Sequence, residues 1–172
     1  GKAMKIRNIS TIAIAALIGV ATLPLASGAT PTVSATLKAQ LIYIIQEEKL
    51  ARDVYAALAK STGINKFANI TKSEQSHMDQ LKVILKTYGI KDPTLNLKVG
   101  VFVDKKLTAL YKTLMTKGAL SSADAIAVGV LIEQTDIKDI NAMAKNVTQA
   151  DIKLTLANLL KGSENHLAAF SR

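Results

Sequence analysis

Acids and histidines occupy positions in this chain where the spacing of apolar residues predicts the buried faces of helices. Around each of them Leu, Ile, Phe or Met recurs at steps of three or four residues, so each set lies on one helix face. A carboxylate on a buried face is unfavourable unless it is paired, protonated or bound to a cation. Four such faces meeting in one core predict a metal site. Its candidate ligands are Glu48, Glu74, His77, Glu133, Asp136 and His166.

Glu74 and His77 form a Glu-x-x-His pattern, in which the two side chains lie on one helix face. A carboxylate and an imidazole in this arrangement can bind one metal ion, and the carboxylate can bridge to a second. The expected di-metal bundle has a single glutamate on each of two helices and Glu-x-x-His on each of the other two.

The second half of that pattern is incomplete. The single glutamates are present as Glu48 and Glu133, but the residue three before His166 is Ser163. A serine hydroxyl is a poor ligand beside a carboxylate, although Asp136 on the third long helix can compensate. The sequence therefore leaves open an asymmetric pair of metal ions, one ion or none.

The composition restricts which metals the site can bind. Cysteine is absent, which excludes disulfides, cysteine-based zinc sites and iron–sulfur clusters. Only oxygen and imidazole ligands remain, and these suit iron, manganese or zinc. We expect iron, as one or two ions.

The formal net charge is +9, from 22 Lys and Arg against 13 Asp and Glu. The lysines are scattered along all the predicted helices, which is typical of a solvated surface. Aromatic residues make up only 4% of the chain, and no basic cluster is interleaved with them. No nucleic-acid partner is predicted.

Residues 1–28 resemble a secretory leader, with a short basic start, an apolar run and small residues at a cleavage position. One interpretation is cleavage after Gly28 or Ala29. The other is retention as a hydrophobic N-terminal helix that anchors or assembles the protein. The apolar run is short for a membrane span and Pro24 interrupts its end, so membrane contact is expected only through this segment if it is retained. Both interpretations predict an extracytoplasmic body.

Residues 29–33 are predicted to be a linker, and residues 34–172 to form one all-α domain. Short links make the first two and the last two long helices antiparallel, whereas a long connection permits the third long helix to run parallel to the second. This pattern predicts a four-helix bundle with one crossover and a short extra helix. The predicted helices cover residues 34–61, 66–88, 105–117, 121–145 and 148–172. The last of them is expected to start at Thr148, with Asp151 three residues later as its capping partner.

The predicted ligands can lie in one layer of this bundle. Glu48 lies about 13 residues before the end of its helix, and Glu133 about 11 residues after the start of its own, which is a difference of only a few ångströms in height. Glu74 and His77 lie about 8 to 11 residues into the second helix. His166 lies six residues before the C-terminus.

Four of the six candidate ligands also have a structural interpretation. Residues 71–74 fit a capping box if the second helix starts late, and Glu74 would then be a capping residue. Glu48 can pair with Arg52 one turn later. The histidines can be hydrogen-bonded core residues. Tyr55 is expected to pack in the core, with a hydroxyl that bonds a ligating carboxylate, and Glu47 to be solvated or to lie behind the ligands.

Five segments of the predicted helices carry specific motifs. The segments are EEKLARDVY (47–55), FANI (67–70), SEQSHMD (73–79), IEQTDIKDI (132–140) and GSENHLAAF (162–170). At these residues the chain resembles the uncharacterised family DUF2202 and the rubrerythrin-like branch of the ferritin-like superfamily. The resemblance covers nearly all of the chain after the leader.

The resemblance implies a ferritin-like bundle but no particular reaction. Glu48 stands seven residues before Tyr55, with Arg52 between them, as in the first helix of rubrerythrin-like proteins. Glu133 and Asp136 look like the two spaced acids of that family's third helix. The chain departs from the superfamily's di-metal pattern at the serine three residues before the last histidine.

The first functional hypothesis is a secreted or cell-surface protein that oxidises ferrous iron with oxygen or peroxide at this site. The alternative is a structural subunit of the cell surface, a homo-oligomer or filament in which the N-terminal segment makes the subunit contacts and the metal site is vestigial. A third interpretation is metal binding without turnover.

Overall fold

The computed structural model describes residues 1–3 and 28–172. The predicted leader therefore lies almost entirely outside the described residues. The described part of the chain contains five helices and no strand, which confirms the all-α prediction. Within residues 1–3 and 28–172, no helix combines the length and apolar character needed to cross a bilayer. The helices are α1 (Ala35–Thr62), α2 (Asn65–Thr87), α3 (Lys105–Gly118), α4 (Ser122–Ala144) and α5 (Ala150–Phe170).

Local capping explains where α1 and α4 begin and where α1 ends. The Ser34 hydroxyl accepts a hydrogen bond from the Leu37 amide at 3.1 Å, and the Ser121 hydroxyl caps α4 in the same way. Gly63 ends α1 with a φ of 70°, a left-handed conformation that glycine adopts without a steric penalty. These three signals are local and can be read from the sequence.

The predicted cap of the last helix is wrong. α5 begins at Ala150, with Gln149 as its N-cap and no side-chain capping bond, rather than at Thr148 with Asp151 as a capping partner. The Asp151 carboxylate instead accepts a hydrogen bond from the Tyr88 hydroxyl at 2.8 Å. A contact with the end of α2 therefore replaces the local cap.

Four helices form a ring in which α1 contacts α2, α2 contacts α5, α5 contacts α4 and α4 contacts α1. One apolar cluster joins the start of α1 and of α5 to the end of α2 and of α4. A second joins the opposite ends of the same helices. Each helix therefore runs antiparallel to its two neighbours, and the diagonal pair α2 and α4 is parallel, which requires the long connection between them.

The second apolar cluster contains an aromatic group and the outer helix α3. The rings of Tyr55, Phe67 and Phe170 lie with centroids 5.4 to 6.0 Å apart. From α3, Leu107 and Leu114 pack into this cluster against α1 and α4. The candidate ligands lie between the two apolar clusters, where water is largely excluded.

The connection before α3 is attached to the bundle by a buried ion pair. The Lys49 ammonium donates to Asp53 at 2.7 Å and to the carbonyls of Lys98 and Val101 at 2.8 and 3.0 Å. The Gly100 amide donates to the same aspartate at 3.0 Å. Residues 98–101 are thereby held against α1, although the sequence indicated only scattered surface lysines.

Candidate metal centre

All four helices of the ring contribute side chains to one buried polar layer. Glu48 comes from α1, Glu74 and His77 from α2, Glu133 from α4 and His166 from α5. The three glutamates are fully buried, and the histidines are 4% and 7% exposed. The structure brings together five of the six residues named as candidate ligands from the sequence.

The first group of converging atoms surrounds His77. Its Nδ1 lies 3.0 Å from Glu48 Oε2 and 3.2 Å from Glu74 Oε2. One ligand atom from each of these residues lies within 4.8 Å of the others. Two carboxylates and an imidazole in this arrangement can bind a metal ion through oxygen and nitrogen.

The second group surrounds His166 and shares Glu74 with the first. The His166 Nδ1 lies 3.0 Å from Glu74 Oε1 and 3.2 Å from Glu133 Oε1. Glu74 therefore faces one histidine with each of its oxygens. The two imidazole rings stack with centroids 5.7 Å apart, so the two groups are adjacent.

Several carboxylate oxygens in this layer lack a hydrogen-bond partner. Although Glu74 Oε1 is close to His166 Nδ1, the two atoms are not aligned as a hydrogen bond. Buried polar atoms are normally paired, so unpaired oxygens that converge fit a cation or shared protons. Among the described residues, the buried side-chain atoms without a partner are Glu47 Oε2, Glu48 Oε1, Glu74 Oε1, Glu133 Oε2 and Asp136 Oδ1.

Burial and mutual repulsion disfavour the charged forms of these acids. Burial, followed by the charge of Glu74, raises the pKa of Glu48 well above its ordinary value of 4.5. Burial likewise raises the pKa of Glu74. Burial and the charge of Glu48 raise the pKa of Asp136. Without a cation the layer holds protons, and a bound cation would displace them.

Two hydroxyl groups orient the second group. The Tyr55 hydroxyl donates to Glu133 Oε1 at 2.9 Å, in agreement with the predicted role for this tyrosine. The Ser73 hydroxyl lies 2.9 Å from His166 Nε2. A hydrogen bond to the second ring nitrogen orients an imidazole so that its other nitrogen faces a metal.

Asp136 lies beside both groups but belongs to neither. The Ser163 hydroxyl donates to Asp136 Oδ2 at 2.8 Å. Ser163 stands where the Glu-x-x-His pattern has a glutamate. It thus pairs with Asp136, the acid that was expected to compensate for the missing glutamate.

The chain matches the profile of the family described as "Uncharacterized protein domain (DUF2202)" over residues 38–172. The chain belongs to the DUF2202 family. Over 135 residues it is 46% identical to uncharacterized protein MJ0754 of Methanocaldococcus jannaschii. The matched residues make up 78% of this chain and 73% of that protein. The family membership predicted from the five motifs is therefore confirmed.

Two of the solved structures that are similar to this DUF2202 protein are of hypothetical proteins. The crystal structure of the hypothetical protein MJ0754 from Methanococcus jannaschii has a TM-score of 0.79 and 44% identity, and covers 83% of this chain and 81% of that chain. The crystal structure of the conserved hypothetical protein rv2844 from Mycobacterium tuberculosis has a TM-score of 0.60 at 18% identity. The match covers 81% of this chain and 98% of that chain. The second likeness concerns the fold alone.

Two structural interpretations of the candidate ligands are wrong for this DUF2202 protein. The capping-box interpretation of Glu74 fails because α2 begins at Asn65, more than two turns earlier. Arg52 does not pair with Glu48. Its guanidinium donates instead to Asp53 at 3.0 Å and to Gln75 at 2.7 Å.

Sequence reasoning left one residue near the DUF2202 site open and missed another. Glu47, expected either in solvent or behind the ligands, is 8% exposed, and its position three residues after Ile44 and four before Ala51 was a usable signal for burial. Gly162 lies inside α5 next to the His77 ring, and a Cβ there would lie 2.6 Å from His77 Cε1. A glycine within a helix is unfavourable by itself, and here it leaves room for a ligand.

Proposed function

We propose that this protein is an extracytoplasmic ferritin-like protein that binds two iron ions and oxidises ferrous iron. The observation that carries the proposal is the shared carboxylate of Glu74, which faces His77 with one oxygen and His166 with the other. Two overlapping groups with one common carboxylate are the arrangement expected of a bridged pair of ions. The unpaired oxygens of Glu48 and Glu133 support a cation at each group.

The ferritin-like assignment is supported by how the ligands are distributed. A ring of four antiparallel neighbours, a long connection between the parallel helices and inward ligands from all four helices are features that di-iron carboxylate bundles share. Membership of the uncharacterised family implies no reaction, so the activity rests on the site itself. The extracytoplasmic location rests on the pattern of residues 1–28 alone.

Iron is favoured by the ligands and by their surroundings. Bound ferrous ions would supply electrons to oxygen or peroxide, and the carboxylates of Glu48, Glu74 and Glu133 stabilise the more highly charged ferric product. The Tyr55 hydroxyl and the Ser73 hydroxyl hold Glu133 and His166 in position. The apolar clusters above and below keep the layer dry. Since the chain has no cysteine, a reductase cycle would need an electron-donating partner.

The direct test is metal analysis of natively purified protein, followed by ferrous oxidation measured at 25 °C under oxygen. We expect about two irons per chain and catalysed oxidation. A double substitution, Glu74→Ala with His77→Ala, should abolish both. The matched control Glu164→Gln changes an exposed acid of α5 and should leave both unchanged. A folded wild-type protein that binds no added iron would contradict the proposal.

A second candidate function is metal binding without turnover in a structural cell-surface subunit. The hydrogen bond between Ser163 and Asp136 favours it, because it occupies an acid that would otherwise be free to complete the second group. One iron per chain, raised thermal stability on binding and no oxidation would support this candidate. The oligomeric state of secreted material, measured with and without residues 1–28, would test the assembly role.

A further inference from the structure

Exposed apolar side chains are concentrated in one segment of this protein. Among the described residues, ten large apolar side chains are exposed, and six of these lie between residues 95 and 120. Single exposed apolar residues are normal on a protein surface, whereas a group of them marks an interaction site. The segment comprises the connection that follows α2 and the outer helix α3. The six side chains are those of Leu95, Val99, Val101, Val103, Leu110 and Leu120.

The three valines of the connection are exposed although their backbone is well bonded. They alternate along the chain, and their exposed fractions are 62%, 42% and 63%. The peptide groups of residues 98–104 are hydrogen-bonded to side chains of α1 and α3, namely Gln46, Lys49, Asp53 and Thr108. The exposure of the valines is therefore a property of a fixed backbone.

The connection lies directly beside α3. A Cβ at Gly100 would lie 2.7 Å from Tyr111 Cδ1, and the rings of Phe102 and Tyr111 have centroids 6.4 Å apart. The valines and the exposed side of α3 therefore form one surface, the α3 face. Among the described helices, α3 contacts α1 and α4 but neither α2 nor α5. The α3 face thus lies on the opposite side of the bundle from α2 and α5.

The α3 face is also basic. Residues 93–120 contain five lysines and one aspartate. The aspartate, Asp104, caps α3 by accepting hydrogen bonds from the amides of Lys106 and Leu107. Lys117 pairs with Asp124 at 3.3 Å, but the other four lysines are in none of the ion pairs of the described residues. The five lysines, all exposed, are Lys98, Lys105, Lys106, Lys112 and Lys117.

We propose that the α3 face binds the surface of a membrane that contains anionic lipids. Anionic headgroups attract lysines that lie close to the membrane surface, and the acyl boundary below them accepts exposed apolar side chains. The long lysine side chains reach the headgroups while their methylene groups remain in apolar surroundings. This contact lies outside the metal-binding layer and is separate from any contact that residues 1–28 make.

Other partners are less compatible with the α3 face. A second copy of the chain carries the same net positive charge, and like charges repel. A soluble polyanion would pair with the lysines but leave the valines in water. Single-stranded nucleic acid would need exposed aromatic rings for stacking, but Phe102 is buried against Tyr111. A bilayer surface supplies both the negative charge and an apolar layer.

The test is the fluorescence of a polarity-sensitive label on single cysteines introduced into the full chain, which has no cysteine of its own. Val99→Cys and Val103→Cys place the label on the α3 face. Val83→Cys is the matched control, because this valine of α2 is equally exposed, at 64%. Phosphatidylglycerol vesicles should brighten the label at Val99 and Val103 but not at Val83. Phosphatidylcholine vesicles, or added salt, should abolish the change on the α3 face.

A second experiment removes charge and leaves the label in place. In the Val103→Cys protein, Lys105→Gln with Lys112→Gln should require about 25-fold more phosphatidylglycerol for half of the fluorescence change, since each lysine contributes about fivefold. Lys72→Gln with Lys86→Gln removes the same charge from exposed positions of α2 and should leave the half-point unchanged.

Four results would overturn the proposal. One is the absence of any change at Val99 and Val103 with phosphatidylglycerol. A second is an equal change at Val83, which would show non-specific adsorption or binding through residues 1–28. A third is an unchanged half-point after the two lysines of α3 are replaced. The fourth is an equal change with soluble polyphosphate, which would make the partner a polyanion. None of these results bears on the metal centre, which is tested separately.

Discussion

Glu74 lies between the two histidines, with Oε2 at 3.2 Å from His77 Nδ1 and Oε1 at 3.0 Å from His166 Nδ1. The two flanking glutamates each face only one histidine, because Glu48 approaches His77 and Glu133 approaches His166. Losing the central carboxylate should therefore affect both groups, whereas losing a flanking carboxylate should affect one.

This asymmetry predicts different metal contents for three glutamine variants. Glu48→Gln and Glu133→Gln should each retain about one tightly bound ion, whereas Glu74→Gln should retain none. Metal content after dialysis, measured by mass spectrometry of the metals, is the readout. Equal losses in all three variants would show that the two groups do not bind ions separately.

Metal-free protein should lose stability as the pH rises. Burial, with the neighbouring Asp139 and Asp136, raises the pKa of Glu47 to about 11 from 4.5, and the pKa of Glu48 is also raised. Above pH 4.5 the unfolded chain releases these protons while the folded protein keeps them. The free energy of unfolding therefore falls with rising pH, from its full value below 4.5.

Urea denaturation of chelator-treated protein between pH 5 and pH 9 measures this slope. The slope should be smaller in Glu47→Gln, which has no proton to release at that position. With saturating metal the trend should reverse, because ligands bind the ion in their deprotonated form. Stability of the metal-free protein that rises across this range would contradict the prediction.

Ser163→Ala should destabilise the metal-free protein without changing its metal content. The substitution removes the hydroxyl that donates to buried Asp136 at 2.8 Å, which costs about 1–3 kcal/mol. If each of these two residues mainly satisfies the hydrogen-bonding group of the other, adding Asp136→Ala should recover part of the lost stability. A drop in bound metal on either substitution would instead make Asp136 a ligand.

Gly162→Ala should weaken metal binding although alanine favours helix. The added Cβ would contact the His77 ring, at 2.6 Å from Cε1, and so displace a candidate ligand. We expect about a 10- to 100-fold loss of affinity, as when the partners of a ligand are disturbed. Isothermal titration with Co²⁺ measures it, with the exposed substitution Asn165→Ala in the same helix as the control. Unchanged affinity would show that the His77 ring can move without any effect on metal binding.

Lys49→Met should destabilise the protein by about 3–5 kcal/mol, because it leaves the buried carboxylate of Asp53 without its cation. The connection at residues 98–101 should then become sensitive to proteolysis, since two of its carbonyls lose their donor. Lys60→Met, at an exposed position of α1, is the control. A loss of stability as small as in the control would show that the pair is dispensable.

The helices, apart from the start of α5, and the faces on which the candidate ligands lie are predictable from local sequence. The steps of three and four residues around Glu74 and His77 depend only on the geometry of one helix, and the caps at Ser34 and Gly63 depend only on neighbouring residues. The five motifs determined the family for the same reason, since they are read along the chain.

Which of these side chains meet depends on how the helices pack. Ser163 pairs with Asp136 because α4 and α5 pack side by side. Lys49 is buried because residues 98–101 lie over it. Both contacts join residues that are far apart in the chain, so no local spacing encodes them. Whether an acid on a helix face becomes a ligand or a hydrogen-bond acceptor depends on the helix that packs against it.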